Sequence, residues 1–178
     1  MTRLKALNPE EATGKTKELF NAVQGKMGLV PNMMRRMGNS PAVLEGYLNF
    51  SGALSHGTLG TKTNELLALA IAEANSCDYC LSVHSYIGEK LIKMDNETIL
   101  AARSANAANP KTNATLQFAK TLVAKNGHVS DQDINAVKEA GLTDGEIAEA
   151  VAHVGLNILT NYFNNTANTE IDFPQIVS

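Results

Sequence analysis

The chain has no tryptophan, only four tyrosines and five phenylalanines, and just two cysteines in 178 residues. With aromatics at 5% and hydrophobic residues at 44%, the core is left to Ala, Leu, Val, Ile and Met, side chains that suit close-packed helices. Long apolar runs are missing too. The longest, residues 66–72, is far too short to cross a bilayer, and residues 1–11 lack the apolar centre of a signal peptide. A net charge of −3 gives no electrostatic pull toward nucleic acid or an anionic membrane. Sustained period-two alternation is absent and β-branched residues are nowhere clustered, which argues against a sheet. The expected compartment is the cytoplasm, where a C-x-x-C pair is catalytic or metal-binding rather than a structural staple.

What is present is a succession of helix signals. Asn8 followed by Pro9, Glu10 and Glu11 reads as an N-cap, a proline at the first helical position and acids in the first turn. An apolar stripe through Leu19, Phe20, Val23 and Met27 stops at Gly28. A loop through Val30-Pro31-Asn32 leads to a short Met-rich segment, and Ser40-Pro41 opens the next helix. Residues 61–75 are apolar almost all round, which predicts a buried central helix. Further helices are expected over 77–93, 96–105 and 112–126. Ser130-Asp131-Gln132-Asp133 and Thr143-Asp144-Gly145-Glu146 match the capping-box pattern. From the second runs a long amphipathic helix, with Ile147, Val151, Val154, Ile158 and Tyr162 expected on its buried face. The reading is all-α and a single domain over 1–178: N-terminal helices to residue 60, a core over 61–166, and a C-terminal arm over 167–178 of the kind that often packs on a neighbouring subunit.

Both cysteines fall in Cys77-Asp78-Tyr79-Cys80, with His84 one helical turn further on. At a helix start, unpaired backbone N–H groups and the positive end of the dipole favour thiolate over thiol. Such settings lower a thiol pKa from ~8.5 to roughly 3.5–7.5. A Cys80 thiolate can attack a peroxide or a disulfide, and Cys77 is close enough to condense with the resulting sulfenic acid. His84, four residues after Cys80, shares its helix face and can accept or return the thiol proton. In one straight helix, Glu65 would lie ~18 Å from Cys77. A break at Asn75-Ser76 folds the two helices back on each other and brings Glu65 opposite a residue near 86. The inferred order is then Glu65 to His84 to Cys80, a proton relay.

Glu65, eleven residues, Cys77, two residues, Cys80, three residues, His84 resembles the core motif of alkylhydroperoxidase D-like (AhpD-like) proteins, within the carboxymuconolactone decarboxylase-like superfamily. The resemblance extends to Val30-Pro31-Asn32, Asn39-Ser40-Pro41, Asn161-Tyr162-Phe163-Asn164 and Ile171-Asp172-Phe173-Pro174, as in the peroxidase-related branch. It implies a compact multi-helix bundle built around a helical hairpin that carries the C-x-x-C, assembled as homo-oligomers, commonly trimers or hexamers. It also implies reduction of organic hydroperoxides by a dithiol without haem, flavin or metal. Cys80 would be the peroxidatic thiol, Cys77 the resolving thiol, Glu65 and His84 the relay, and an external dithiol such as a lipoyl-bearing protein the reductant. Where the family's best-known member has a second histidine between the cysteines, this chain has Tyr79.

Other functions fit the same residues. Cys77, Cys80, His84 and Glu65 offer four zinc ligands, although structural zinc sites usually draw on two separated knuckles. A disulfide oxidoreductase or redox sensor needs the same dithiol. A carboxymuconolactone decarboxylase-type enzyme needs no thiol pair. Outside the motif, His153 is expected to be solvated, Arg35-Arg36 a solvated pair, and Met27, Met33, Met34 and Met37 flexible core or a subunit contact rather than a substrate pocket.

Overall fold

Leu66 through Ala72 are all buried, and the helix they occupy is the axis of the computed structural model, which describes residues 3–173. In chain order the helices are α1 (Gly14–Met27), α2 (Asn32–Met37), α3 (Pro41–Leu54), α4 (Gly60–Ala74), α5 (Asp78–Tyr86), α6 (Asn96–Arg103), α7 (Pro110–Ala124), α8 (Asp131–Glu139) and α9 (Asp144–Ala167), with a π-helical turn, Ile87–Leu91, continuing α5. There is no strand among the described residues. A helix apolar on every side must be covered on every side, and α5, α6, α7 and α9 pack around α4.

The core divides into two clusters. Leu66, Leu67, Leu69, Ile71, Ile99, Leu116, Phe118, Leu122 and Val154, with their neighbours, join α4 to α6, α7, α8 and α9. Phe20, Val23, Met33, Met34, Met37 and Leu44 join α1–α3 to Ala72, Cys77, Tyr79 and Cys80. The capping boxes expected at Ser130 and Thr143 are both formed, with Asp133 and Glu146 returning the bond to the cap.

Four readings are corrected. The first helix begins at Gly14, not Pro9: Asn8 instead closes a turn, accepting from the N–H of Glu10 on its side chain and of Glu11 and Ala12 on its carbonyl. The helix expected over 77–93 leaves α geometry after Tyr86 and ends at Leu91. Arg36 is 2% exposed, its Nη1 donating to the Asn32 carbonyl at 3.3 Å and its Nη2 3.9 Å from Glu170. On α9, Val151 and Tyr162 are exposed, while His153, Asn157, Thr160, Asn161 and Asn164 are buried beside Val154. The helix turns a partly polar face inward because α3, α4, α5 and α7 all pack on it.

Residues 168–173 return over their own chain. Asn32 donates its side-chain amide to the Glu170 carbonyl at 3.0 Å and its backbone N–H to Asp172 at 2.7 Å, and Ser82 donates to the Phe173 carbonyl at 3.4 Å. The rest of the arm, from Pro174, lies outside the described residues. No helix among the described residues is long and apolar enough to cross a membrane.

Candidate functional site

The site grows from the turn between α4 and α5. Asn75 caps α4, Ser76 takes the left-handed φ of 51°, and the N–H groups of Ser76 and Cys77 return to the carbonyls of Glu73 and Ala72. This is the Schellman pattern, with Ser76 in the place usually held by glycine. It reverses the chain within two residues, as the Asn75-Ser76 dipeptide suggests. Asn161 and Asn165 of α9 clamp it. The Asn75 side-chain amide donates to Asn161 Oδ1 and the Asn165 amide to the Asn75 carbonyl, each at 3.0 Å.

Cys77 is the N-cap of α5: its Sγ accepts the Cys80 N–H at 3.2 Å. The two sulfurs lie at disulfide distance, with Cα atoms 5.3 Å apart. They are not equivalent. Cys77 is wholly buried, whereas Cys80, 3% exposed, lines a cavity of about 330 Å³. Further along α5, His84 Nδ1 meets Glu65 Oε2 of α4 at 2.7 Å, both side chains about one-fifth exposed. Glu65 and His84 line the same cavity as Cys80. Three of the four residues singled out in the sequence therefore share one cavity, and Cys77 stands behind the third.

The cavity wall is apolar and adaptable. Met27, Met33, Met34, Leu48, Val83 and Phe173 contribute to it, so three of the four methionines line a pocket, which corrects the reading above for them, while Met37 is core as expected. Tyr79, between the cysteines, is 5% exposed and its hydroxyl accepts the Met33 N–H at 3.3 Å. Burial, with the nearby Asp172 carboxylate adding, pushes its phenol well above the usual range and keeps it neutral. Phe173 meets Tyr79 edge-on at 6.3 Å and tilts against Tyr86 at 5.8 Å. The arm thus forms part of the wall over Cys80.

Behind Glu65 and His84 lies a smaller cavity of about 150 Å³. Tyr47, Ser51, Ser55, Glu65, His84 and Thr160 border both spaces. The smaller one adds Asn64, His153 and Asn157. His153 is 5% exposed, which overturns its expected solvation. Burial pushes its pKa down, against the attraction of Glu149 and Glu65. Its Nε2 and Asn64 Oδ1 are buried without a partner among the described residues. Sequence reasoning passed over this polar set. The signal was there: His153, Asn157, Thr160 and Asn164 recur at steps of four, three and four, one stripe of a helix. Among the described residues no group of three or more His, Cys, Asp or Glu is arranged to hold a metal ion.

Residues 41–121, which include Glu65, both cysteines and His84, match the model of the carboxymuconolactone decarboxylase family. No curated protein matches the chain by sequence. Among solved structures, an uncharacterized peroxidase-related protein from Ralstonia eutropha JMP134, an alkylhydroperoxidase AhpD core, superposes with a TM-score of 0.85 at 23% identity, covering 96% of this chain and 92% of that one. An uncharacterized peroxidase-related protein from Silicibacter sp. TM1040 gives 0.80 at 20% identity, covering 96% and 94%. The debrominase Bmp8 gives 0.81 at 18% identity, covering 97% and 93%. At these identities the likeness is one of fold.

Proposed function

We propose that the chain is an AhpD-like protein of the carboxymuconolactone decarboxylase superfamily, as the family match over residues 41–121 and the shared fold support, and that it is a thiol-dependent peroxidase for organic hydroperoxides. The observation that carries this reading is a single apolar cavity bordered by the Cys80 sulfur and by a carboxylate–imidazole pair. A hydroperoxide ROOH enters with R against the methionines. The Cys80 thiolate attacks the distal oxygen: an S–O bond forms, the O–O bond breaks, and the alkoxide leaves. His84, held in place by Glu65, passes the proton taken from the Cys80 thiol to that alkoxide and releases ROH. Cys77 then attacks the Cys80 sulfenic acid; an S–S bond forms, the S–O bond breaks, and water leaves. An external dithiol, of the lipoyl type, returns both sulfurs to thiols and is oxidised in turn. Homo-oligomeric assembly belongs to the same proposal.

The experiment mixes reduced protein with cumene hydroperoxide in stopped flow and follows sulfenic acid and disulfide. The expected result is oxidation at least about a hundredfold faster than a free thiol of the same pKa, lost in Cys80→Ser. Oxidation at the free-thiol rate in the parent protein makes the dithiol a disulfide exchanger or sensor instead.

The fold likeness to Bmp8 favours one second reading. A cysteine-to-alanine form of that debrominase was solved with 2,3,4-tribromopyrrole bound, and the Met-lined wall over Cys80 suits a flat halogenated ring equally well. The same dithiol would then give two electrons to a carbon–bromine bond, yielding the C–H product, bromide and the disulfide. Bromide release from a bromopyrrole, matched by disulfide, distinguishes this reading from the first.

A further inference from the structure

The two sulfurs of the motif draw on different donors. Cys77 Sγ takes the backbone N–H of Cys80 as the N-cap of α5. Capping and the helix dipole therefore favour a thiolate at Cys77, yet Cys77 is wholly buried and does not line the cavity. Something must activate the sulfur that substrate can reach. In this structure the two cysteines form a disulfide, and the donor at Cys80 Sγ is a side chain from another helix: Asn164 Nδ2 of α9, at 3.4 Å.

Asn164 is 2% exposed. Its Nδ2 also meets Met33 Sδ at 3.2 Å, while its Oδ1 is buried without a partner among the described residues. Both neighbours of the nitrogen are sulfur acceptors, and a thioether has no proton to give. Rotating the amide would turn its oxygen toward a lone-pair atom, so nitrogen toward sulfur is the favoured pose. A buried amide with an unsatisfied oxygen weakens a core relative to an apolar residue of the same shape. Stability alone gives no reason for asparagine here. Its distance to Cys80 is held by its neighbours, since Asn161 and Asn165 fix the turn that carries the cysteines against the same stretch of α9.

We propose that Asn164 is a further catalytic residue, its side-chain amide donating to Cys80 Sγ and selecting that sulfur, rather than Cys77, as the attacking thiolate. The assignment rests on the reading of Cys80 as the nucleophile. A donor to the charged form lowers the pKa of the thiol. The amide is itself uncharged at every relevant pH, so its contribution does not titrate. The groups that do titrate around the cavity are Lys26 of α1, Tyr47 of α3, Glu65 of α4, and Tyr79 and His84 of α5, with Asp172 of the arm near Tyr79. Asn164 is distinct from all of these, and after attack the same N–H faces the sulfenate.

The test is the pH profile of Cys80 alkylation by iodoacetamide, followed by mass spectrometry in reduced protein carrying Cys77→Ser. Asn164→Leu keeps the size and removes the donor. It is expected to move the midpoint of the profile up by about one pH unit, slowing alkylation below that midpoint by up to about tenfold, while leaving the high-pH plateau within about twofold. A profile that overlays the parent's overturns the proposal. If the leucine variant does not fold, Asn164→Asp decides: a carboxylate at the sulfur should slow alkylation at pH 7 by more than tenfold, and an unchanged rate again overturns the proposal. Alkylation needs no hydroperoxide, so cumene hydroperoxide consumption measured alongside separates the two questions. Protein that ignores the peroxide but shows the shifted profile refutes the peroxidase and keeps Asn164.

Discussion

The two halves of the core are built from different materials. Around α4, α6, α7 and α9 the buried residues are Leu, Ile, Val, Ala and one Phe, with no sulfur but Met94. Around α1–α3 and the start of α5 the cluster holds Met33, Met34 and Met37 with both cysteines. Branched aliphatics lock into few rotamers and specify one packing; methionine is unbranched and fills irregular space. Leu81 touches both clusters. The two halves divide the labour: the aliphatic half fixes α4 and α9, and the sulfur-rich half leaves an adaptable wall beside Cys80. Glu65, His84 and Asn164 reach that wall from helices, or from the hairpin, that the aliphatic half fixes.

Substitutions in the two halves test this directly. Leu69→Ala, in a fully buried position, should cost about 2–5 kcal/mol in urea unfolding and leave KM for hydroperoxide nearly unchanged in whatever protein remains folded. Met34→Leu, on the cavity wall, should cost less than about 1.5 kcal/mol and move KM several-fold. Equal stability losses, or a KM that answers to Leu69 and not to Met34, would erase the distinction.

A smaller effect sharpens it at the seam. Burial holds the pKa of His153 below the value of 6.5 that the free side chain has. The unfolded chain therefore takes up this proton first. The stability that neutral His153 allows is fully present above pH 6.5 and is lost as pH falls below it, at no more than about 1.4 kcal/mol per pH unit. His153→Gln should flatten the stability profile between pH 6.5 and 5 relative to the parent, read from urea midpoints; parallel profiles would put His153 in water.

Much of this was legible in the residues. The buried character of α4, the reversal at Asn75-Ser76 and both capping boxes follow from local rules that use only near neighbours in sequence. The Glu65–His84 contact followed once the hairpin was closed. What escaped was everything set by α9. An amphipathic reading assigns its apolar side inward, but a helix packed on several sides buries polar residues too, and here those residues border the cavities. His153 and Asn164 meet Glu65 and Cys80 across sequence separations of about ninety residues, which no local period reports. Arg36 escaped for the same reason: its burial depends on Glu170 and the returning arm. Asn8 misled in the other direction, since the same cap chemistry closes an isolated turn as readily as it starts a helix.

On the proposed function, the sulfur-rich half performs a two-electron reduction at Cys80. The most direct measurement is a single turnover: reduced protein with one equivalent of cumene hydroperoxide, quenched and assayed for both 2-phenyl-2-propanol and the Cys77–Cys80 disulfide. One alcohol per disulfide is expected, formed together, and neither in Cys80→Ser. Disulfide without alcohol, or alcohol that persists without Cys80, would contradict it.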